Sequence, residues 1–483
     1  MKRPRAGRRS ASPYLWCWVA LAFAFGACGR PEPPKSNVLV ILIDTLRADR
    51  LGAYGNERGL TPFLDELAER GTTFGRALAA SSWTVPSVAS ILTSRYPTQH
   101  NVVAFYSQLV EDEVTVWERL ASAGWTGAGF SANLLVREEA GFGQGLERMW
   151  TDADSEHLVR GEVLRTQALE WLDRSRGAGD QTLLFLQYME PHYPYQSRRE
   201  LRERFAADED GAPFDVPSAT RVAVARAFPE GAPDGNVGEA VQAVLTAEQE
   251  LTRDVLEPFE LLYDSEVAAA DEEVRLLFEA LTERGFLEDC YVVILSDHGE
   301  EFADHGSIGH GRTLYEENVH VPLILLGPDV ARGRRIEQPV SLMDVAPTLL
   351  ELLGLPAAQT FEGRSLASLV RADSSVEELP PRELVLQLER QSPNRLDRRL
   401  HSRALVQDGQ KLLVRMDEEQ ELYDVASDPT ELDDLARQES ADVRELSDRL
   451  RLLEERLMRR AGVRTELSTE DQEFNRKLRA IGY

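Results

Sequence analysis

Three nearly continuous apolar, β-branched runs constrain this chain most: Asn37–Ile43 (NVLVILI), Thr182–Tyr188 (TLLFLQY) and Tyr291–Leu295 (YVVIL). A strand that faced water on one side would alternate polar and apolar residues; these runs do not, so each suits a strand buried on both faces of a parallel sheet. Val321–Leu326 reads as a fourth strand of this type. Helical periodicities at Pro62–Arg70, Val114–Ala123 and Ser265–Arg284 separate the runs. Strand–helix alternation implies a mostly parallel, doubly wound α/β sheet. Ligands in such sheets sit beyond the carboxyl ends of the strands. Each run stops at a polar cluster there: Asp44, then Glu190-Pro191-His192, then Ser296-Asp297-His298-Gly299-Glu300. Asp44, His192, Asp297 and His298 are therefore expected along one edge.

With 483 residues, 42% apolar and 28% charged, the chain suits one large globular domain with a smaller appendage. Its 82 acids against 54 lysines and arginines leave a net charge of −28, which repels a phosphate backbone and argues against nucleic acid. Three cysteines make neither a disulfide scaffold nor a Cys-rich zinc site. Residues 1–27 read as an export signal. Lys2, Arg3, Arg5, Arg8 and Arg9 precede an apolar stretch, Tyr14–Ala27, too short to span a bilayer easily. The ending Phe25-Gly26-Ala27-Cys28 resembles a bacterial lipobox, so Cys28 is expected to be acylated and to tether an exported, periplasmic or cell-surface protein to the membrane. A plain membrane anchor stays open; a core helix fits less well, because the Pro-rich segment 28–36 reads as a linker. The expected divisions are a catalytic domain over 37–370 and a C-terminal subdomain over 371–483.

In Ser81–Leu92 (SSWTVPSVASIL), Pro86 suits a first helical turn and Thr84 lies just before it. A hydroxyl there meets free backbone N–H groups and the positive end of the helix dipole. Taken alone, the stretch is most simply an N-cap. A neighbouring metal would favour a nucleophile instead, since a free Thr hydroxyl needs a metal or a base to react.

The order of NVLVILIDTLRADRLGAYG, TPFLDELAERGTTF, WTVPSVASILTSRYPTQH, YMEPHYPY, SDHGEEFADHGSIGHGRTLYEE and LMDVAPTLLELLG resembles the sulfatase family of the alkaline phosphatase superfamily. KLLVR and ELYDVASDPTELDDLA look like that family's small C-terminal sheet region. The resemblance covers about residues 36–436. It implies a mixed, mostly parallel α/β sandwich with a small C-terminal α+β subdomain and a divalent metal at the sheet edge. Asp44, Asp297 and His298 match metal ligands, and Thr84 matches the metal-bound nucleophile. His192 matches the histidine that contacts the substrate's anion or leaving oxygen, and His310 stands where sulfatases commonly have a lysine. These donor types suit Mn²⁺ or Zn²⁺, with Ca²⁺ the familiar sulfatase metal.

The departures from the family bear on the chemistry. Sulfatases oxidise the Cys or Ser of CxPxR or SxPxR to an aldehyde. Thr84 is a secondary alcohol and cannot give one; Val88 replaces the arginine and Thr45 a second aspartate. Threonine nucleophiles resemble those of phosphodiesterases and phosphoethanolamine transferases of the same superfamily. Asp297, His298 and His310 also resemble part of their two-metal site, although Asp264 is followed by Ala268 where a histidine would complete it. One tight metal is expected, with a second left open. The leading reading is a metal-dependent hydrolase of phosphoric rather than sulfuric esters. A true sulfatase using unmodified Thr84, a membrane-associated phosphoryl transferase and an inactive binding protein are the alternatives. A small-molecule, glycan or lipid ester is the expected substrate, and the oligomeric state is not legible.

Other features receive both functional and structural readings. Asn133 suits either contact with the transferred group or an ordinary turn. His305 and His320 read as loop hydrogen bonders, Arg95 and His100 as braces of the sheet edge, and Tyr193 and Tyr195 as substrate contacts or parts of a rigid turn. Ser197–Gly235 reads as a lid or surface insertion that selects substrate. Val443, Leu446, Leu450, Leu453 and Leu457 step by three and four along a helix expected to lie on its own domain.

Overall fold

The computed structural model describes residues 36–152, 159–175, 181–207, 211–215, 218–219, 222–223, 252–392 and 395–462. The leader, Cys28 and much of the 197–235 insertion lie outside these residues. Among the described residues no helix is long and apolar enough to cross a membrane.

The main sheet draws on β1 (Asn37–Ile43), β2 (Thr72–Phe74), β4 (Thr126–Ser131), β5 (Arg148–Thr151), β6 (Thr182–Tyr188), β7 (Cys290–Leu295), β11 (Leu323–Leu326) and β12 (Arg334–Ile336). Shorter strands are β3 (Ala77–Leu78), β8 (Glu301–Phe302), β9 (Ile308–Gly309), β10 (His320–Val321) and β13 (Val340–Ser341). The eight-stranded order is β12-β2-β11-β7-β1-β6-β4-β5. β1 lies between β6 and β7, parallel to both, and all seven of its residues are buried, as its unbroken apolar run requires. Leu42 sits beside Leu295 on one flank and Gln187 on the other. Two residues further along, Asp44 and Asp297 leave the sheet at the same level. β4 pairs with β6 through Ser131 and Gln187, which brings Asn133 to the same edge.

The fourth expected strand is split. Pro322 has no N–H to give a ladder, and the chain changes sheets around it. His320–Val321 pairs with β3, while β11 runs antiparallel to both β7 and β2. The sheet is therefore mixed but mostly parallel.

At the C-terminal end, β14 (Leu384–Ser392), β15 (Arg395–Gln407), β16 (Gln410–Val414) and β17 (Gln420–Asp424) form an antiparallel sheet. The helix Ser440–Met458 packs on it, burying Val443, Leu446, Leu450, Leu453 and Leu457 in a cluster with Leu405, Leu412 and Leu422. The stripe read from the sequence thus covers its own domain. Leu450→Ala is expected to cost about 2–5 kcal/mol, because it opens a cavity in that small core. Urea unfolding of the full chain measures it, and a loss below about 1 kcal/mol would mean the helix is not stably docked.

Candidate active site and metal centre

Thr84 opens the helix Thr84–Thr93, all ten of whose residues are buried. The cap position falls on Trp83, in extended conformation (φ −155°, ψ 159°), so the hydroxyl of Thr84 is not the N-cap group. The helix is tied to the end of β7 by Ser87, whose Oγ donates to the Asp297 carbonyl at 2.7 Å. Thr84 Oγ1 consequently stands 3.2 Å from His298 Nε2.

Asp44, Asp297 and His298 are all fully buried, and one ligand atom from each lies within 4.8 Å of the others. Asp44 Oδ2 accepts from Asn133 Nδ2 at 2.8 Å and from Gln187 Nε2 at 3.0 Å. Those two amides orient the carboxylate and leave Oδ1 without a hydrogen-bond partner. Asp297 repeats the pattern: Oδ1 accepts from His298 N–H at 3.1 Å, and Oδ2 has none. His298 Nδ1 lies 2.9 Å from the Gly299 carbonyl. A carbonyl only accepts, so Nδ1 carries the proton and Nε2 of the neutral ring offers its lone pair. That lone pair lies 3.7 Å from Asp44 Oδ1 and 3.6 Å from Asp297 Oδ2. Burial first, and the charge of Asp44 second, hold the Asp297 carboxyl well above the usual carboxylate range. Two carboxylate oxygens without hydrogen-bond partners and an imidazole nitrogen, converging within 4.8 Å, are the donor set a divalent cation requires. The residues therefore fit the metal.

His192 and His310 lie next to the cluster. Their rings are 5.0 Å apart, and His310 is 4.5 Å from the His298 ring. His192 Nδ1 lies 2.5 Å from the Tyr193 carbonyl. His310 Nδ1 lies 3.0 Å from Oε1 of Glu300. The structure thus brings Asp44, Thr84, Asn133, His192, Asp297, His298 and His310 to one edge. Asn133 meets Asp44 with its Nδ2, while its Oδ1 accepts from Leu135 N–H at 2.9 Å.

The turn after Asp44 is strained. Thr45 has φ 58°, a left-handed conformation that a β-branched residue adopts rarely. Tyr263, on the long helix Arg253–Glu283, pins it by donating from its hydroxyl to Thr45 O at 2.8 Å and accepting from Arg47 N–H at 2.9 Å. Arg47 then reaches the Glu300 carbonyl at 3.0 Å and the Asp304 carboxylate at 2.9 Å. Sequence reasoning did not find Gln187, Tyr263 or Arg47, nor the contact of Glu300 with His310.

His100, His305 and His320 brace the structure. His100 accepts from Val102 N–H at Nδ1 (3.0 Å) and meets Ser90 Oγ at Nε2 (3.0 Å), and burial brings it down to about 3. His320 contacts the Gly75 carbonyl at 2.9 Å. Arg95 pairs with Glu113 at 2.5 Å. Asp264 is held by Arg50 and Arg58. His305 lies 2.7 Å from Glu317 and 3.0 Å from the Glu431 carbonyl, and stacks on Tyr315. Burial opposes its charge, but Glu317 and Glu431 outweigh burial and bring it up to about 9. A raised folded-state value means that the stabilisation is complete below the unfolded value of about 6.5 and is lost as pH rises through about 9. The stability difference between wild type and His305→Gln should therefore shrink between pH 6.5 and 9.5, measured by urea midpoints. A constant difference over that range would rule out the charged pair.

The structure thus sets a buried metal-type cluster and a threonine hydroxyl at one edge of a mixed α/β sheet. Residues 36–355 match the family described as Sulfatase, and 304–458 match N-sulphoglucosamine sulphohydrolase, C-terminal. The chain belongs to the sulfatase family. It is 31% identical over 192 residues to arylsulfatase K of Xenopus laevis, covering 39% of this chain and 36% of that protein. It is 24% identical to the uncharacterized sulfatase YidJ of Escherichia coli, covering 83% of each. Among solved structures, the phosphonate monoester hydrolase of Agrobacterium radiobacter superposes with a TM-score of 0.68 at 19% identity, over 89% of this chain and 97% of that one. A protein solved in complex with its substrate D-glucosamine-2-N,6-O-disulfate gives 0.68 at 17%, over 88% and 98%.

Proposed function

We propose that this sulfatase-family hydrolase uses unmodified Thr84 as its nucleophile and acts on phosphoric monoesters or diesters in preference to sulfuric esters. The observation that carries this reading is a threonine hydroxyl, unable to yield the family's aldehyde, standing 3.2 Å from Nε2 of His298 at the Asp44–Asp297–His298 cluster. Asp44, Asp297, His298 and Thr84 would hold one divalent cation, for which the imidazole donor favours Mn²⁺ or Zn²⁺ over Ca²⁺. When bound, such an ion lowers the hydroxyl's pKa and offsets charge on a substrate oxygen.

Thr84 Oγ1 loses its proton to solvent and attacks phosphorus in line with the ester oxygen. The new Oγ1–P bond forms as the P–O bond to the alcohol breaks. His192 or His310, in its protonated form, gives the departing oxygen a proton, a contribution of about 10²–10⁴-fold. Water then gives a proton back to that ring and attacks phosphorus, and the Oγ1–P bond breaks, releasing the phosphate and restoring Thr84. Asn133 and Gln187 keep Asp44 oriented throughout.

A panel of aryl phosphate, phosphodiester, phosphonate monoester and aryl sulfate, assayed in one preparation, tests the preference. The expected result is faster turnover of a phosphorus ester; faster sulfate turnover would replace this reading with a sulfatase acting through unmodified Thr84, which the family matches favour. We further propose export and acylation of Cys28, which would tether the protein to a membrane, with a small-molecule, glycan or lipid ester as substrate. Intact-mass analysis of the mature N-terminus checks this, and an unprocessed Met1 would refute it.

A further inference from the structure

We propose that Arg312, with the cavity it lines, binds a second oxyanion on the alcohol side of the substrate. The preferred ester would then carry a carboxylate, sulfate or further phosphate on its leaving group, an inference that deepens the hydrolase reading above and rests on it. The cavity, of about 270 Å³, lies at the seam between the catalytic part and the C-terminal sheet, the kind of place where ligand pockets form. One wall is the turn between β8 and β9, with Ser307, and the segment after β9, with Arg312. The other is Ser402 of β15 and the turn after β16, with Arg415. His305 and Tyr315 also line it and stack with ring centres 3.7 Å apart, and His305 is held in turn by Glu317 and the Glu431 carbonyl.

The cavity adjoins the groups proposed to act on the leaving oxygen. Arg312 follows His310 by two residues, so their Cα atoms lie at most about 7 Å apart, and the His310 ring is 4.5 Å from that of His298. Gly311, between them, donates its N–H to the Ser82 carbonyl at 2.8 Å, which fixes the segment against the start of the Thr84 helix. Arg312 is exposed, and among the described residues no carboxylate oxygen comes within 4 Å of its guanidinium. The other charges of the lining are committed. Arg415 lies 3.0 Å from Glu421 and 3.9 Å from Asp417, the acid of the lining, and His305 lies 2.7 Å from Glu317. An anionic substrate approaches a chain of net charge −28 against its overall field. A guanidinium without an ion pair, beside a histidine that serves the leaving group, opposes that field locally. Its planar fork suits carboxylate, sulfate and phosphate oxygens alike, and the hydroxyls of Ser307 and Ser402 add neutral donors.

The test uses the full-length, metal-loaded protein and aryl phosphates whose leaving groups differ in charge but hardly in basicity. These are 4-(carboxymethyl)phenyl phosphate, 4-(sulfomethyl)phenyl phosphate and the neutral 4-(carbamoylmethyl)phenyl phosphate. Wild type should turn over an anionic ester with kcat/KM about 10-fold above the neutral one, the contribution of a hydrogen bond to a charged group. Which anion gains more separates a carboxylate ligand from a sulfate-like one. Arg312→Ala should abolish the preference by raising KM for the anionic esters about 10-fold, with kcat and the neutral ester within about two-fold of wild type. Arg312→Lys, which keeps the charge without the fork, should retain part of it. Equal kcat/KM for charged and neutral esters in wild type, a preference that survives Arg312→Ala, or a uniform loss on all the esters would overturn the inference. Metal content and melting temperature should match wild type, since the side chain is exposed; if those of Arg312→Ala do not, Arg312→Gln takes its place under the same criteria. Calorimetry with the non-hydrolysable 4-(carboxymethyl)benzylphosphonate reads the same contact without turnover. Its Kd should rise about 10-fold in Arg312→Ala while that of its carboxamide holds, and an unchanged Kd overturns the inference. Absence of turnover on every phosphate ester with that binding difference intact would instead overturn the functional reading, so the two failures are distinct.

Discussion

Thr84→Ala is expected to reduce turnover of every ester by about 10⁴-fold or more, the scale seen when a covalent nucleophile is removed, while the metal stays bound. Three ligand groups survive the change, since Asp44 Oδ1, Asp297 Oδ2 and His298 Nε2 belong to the segments that follow β1 and β7. Stability should move little, within about 1 kcal/mol. The cap of the helix is Trp83, and alanine is a good residue for a first helical turn. Thr84→Ser keeps a hydroxyl at the same place and should keep most of the activity on phosphorus esters. The measurement is kcat/KM beside metal content, with acid quenching of the wild type to trap the phosphorylated threonine. A pure Thr84→Ala sample with wild-type turnover would remove the hydroxyl from the chemistry. Loss of the metal together with activity would show that Thr84 serves as an indispensable ligand, with its nucleophilic role undemonstrated.

The parts of this site that were legible in the sequence are those set by one strand at a time. An apolar run ending in a carboxylate announces both a buried strand and the edge where it stops, and Asp44, Asp297 and His298 follow from that logic with the parallel sheet. What escaped depends on pairings between distant segments. Gln187 looked like one polar residue inside a strand, and its bond to Asp44 exists only because β6 is in register with β1. Tyr263 lies in mid-helix, and nothing near it in the chain hints that it braces Thr45. Glu300 was legible as part of the polar cluster that ends β7, but its contact with His310 exists only through a hairpin two residues long on each arm. Pro322 was different. A residue with no N–H marks a break in a ladder, yet Val321–Leu326 was read as one strand straight across it.

The second large effect concerns the metal, and its sign runs against the usual expectation for deleting a buried ligand. Without a cation, two buried carboxylates face each other with one oxygen apiece unpartnered, and Asp297 is held well above the usual range by burial and by Asp44. A carboxyl whose folded-state value is raised contributes stability that is complete below its unfolded value, about 3.8, and is lost as pH climbs towards the folded value. The metal-free wild type should therefore be strained at neutral and alkaline pH. Asp297→Asn removes one of the two charges and keeps the shape, so the metal-free variant should be more stable than the metal-free wild type at pH 8, on the order of 1–4 kcal/mol. That advantage should shrink as pH falls. Saturating metal should reverse the ranking: a ligand a thousandfold above its Kd stabilises by about 4 kcal/mol, and the variant, lacking one anionic donor, should gain far less. Thermal melting with chelator and with Mn²⁺ or Zn²⁺, across pH 5–8, measures all four states. If chelator-treated Asp297→Asn melts below chelator-treated wild type at every pH, the two carboxylates are at ease without a cation, and the case for a metal centre built from Asp44, Asp297 and His298 fails with it.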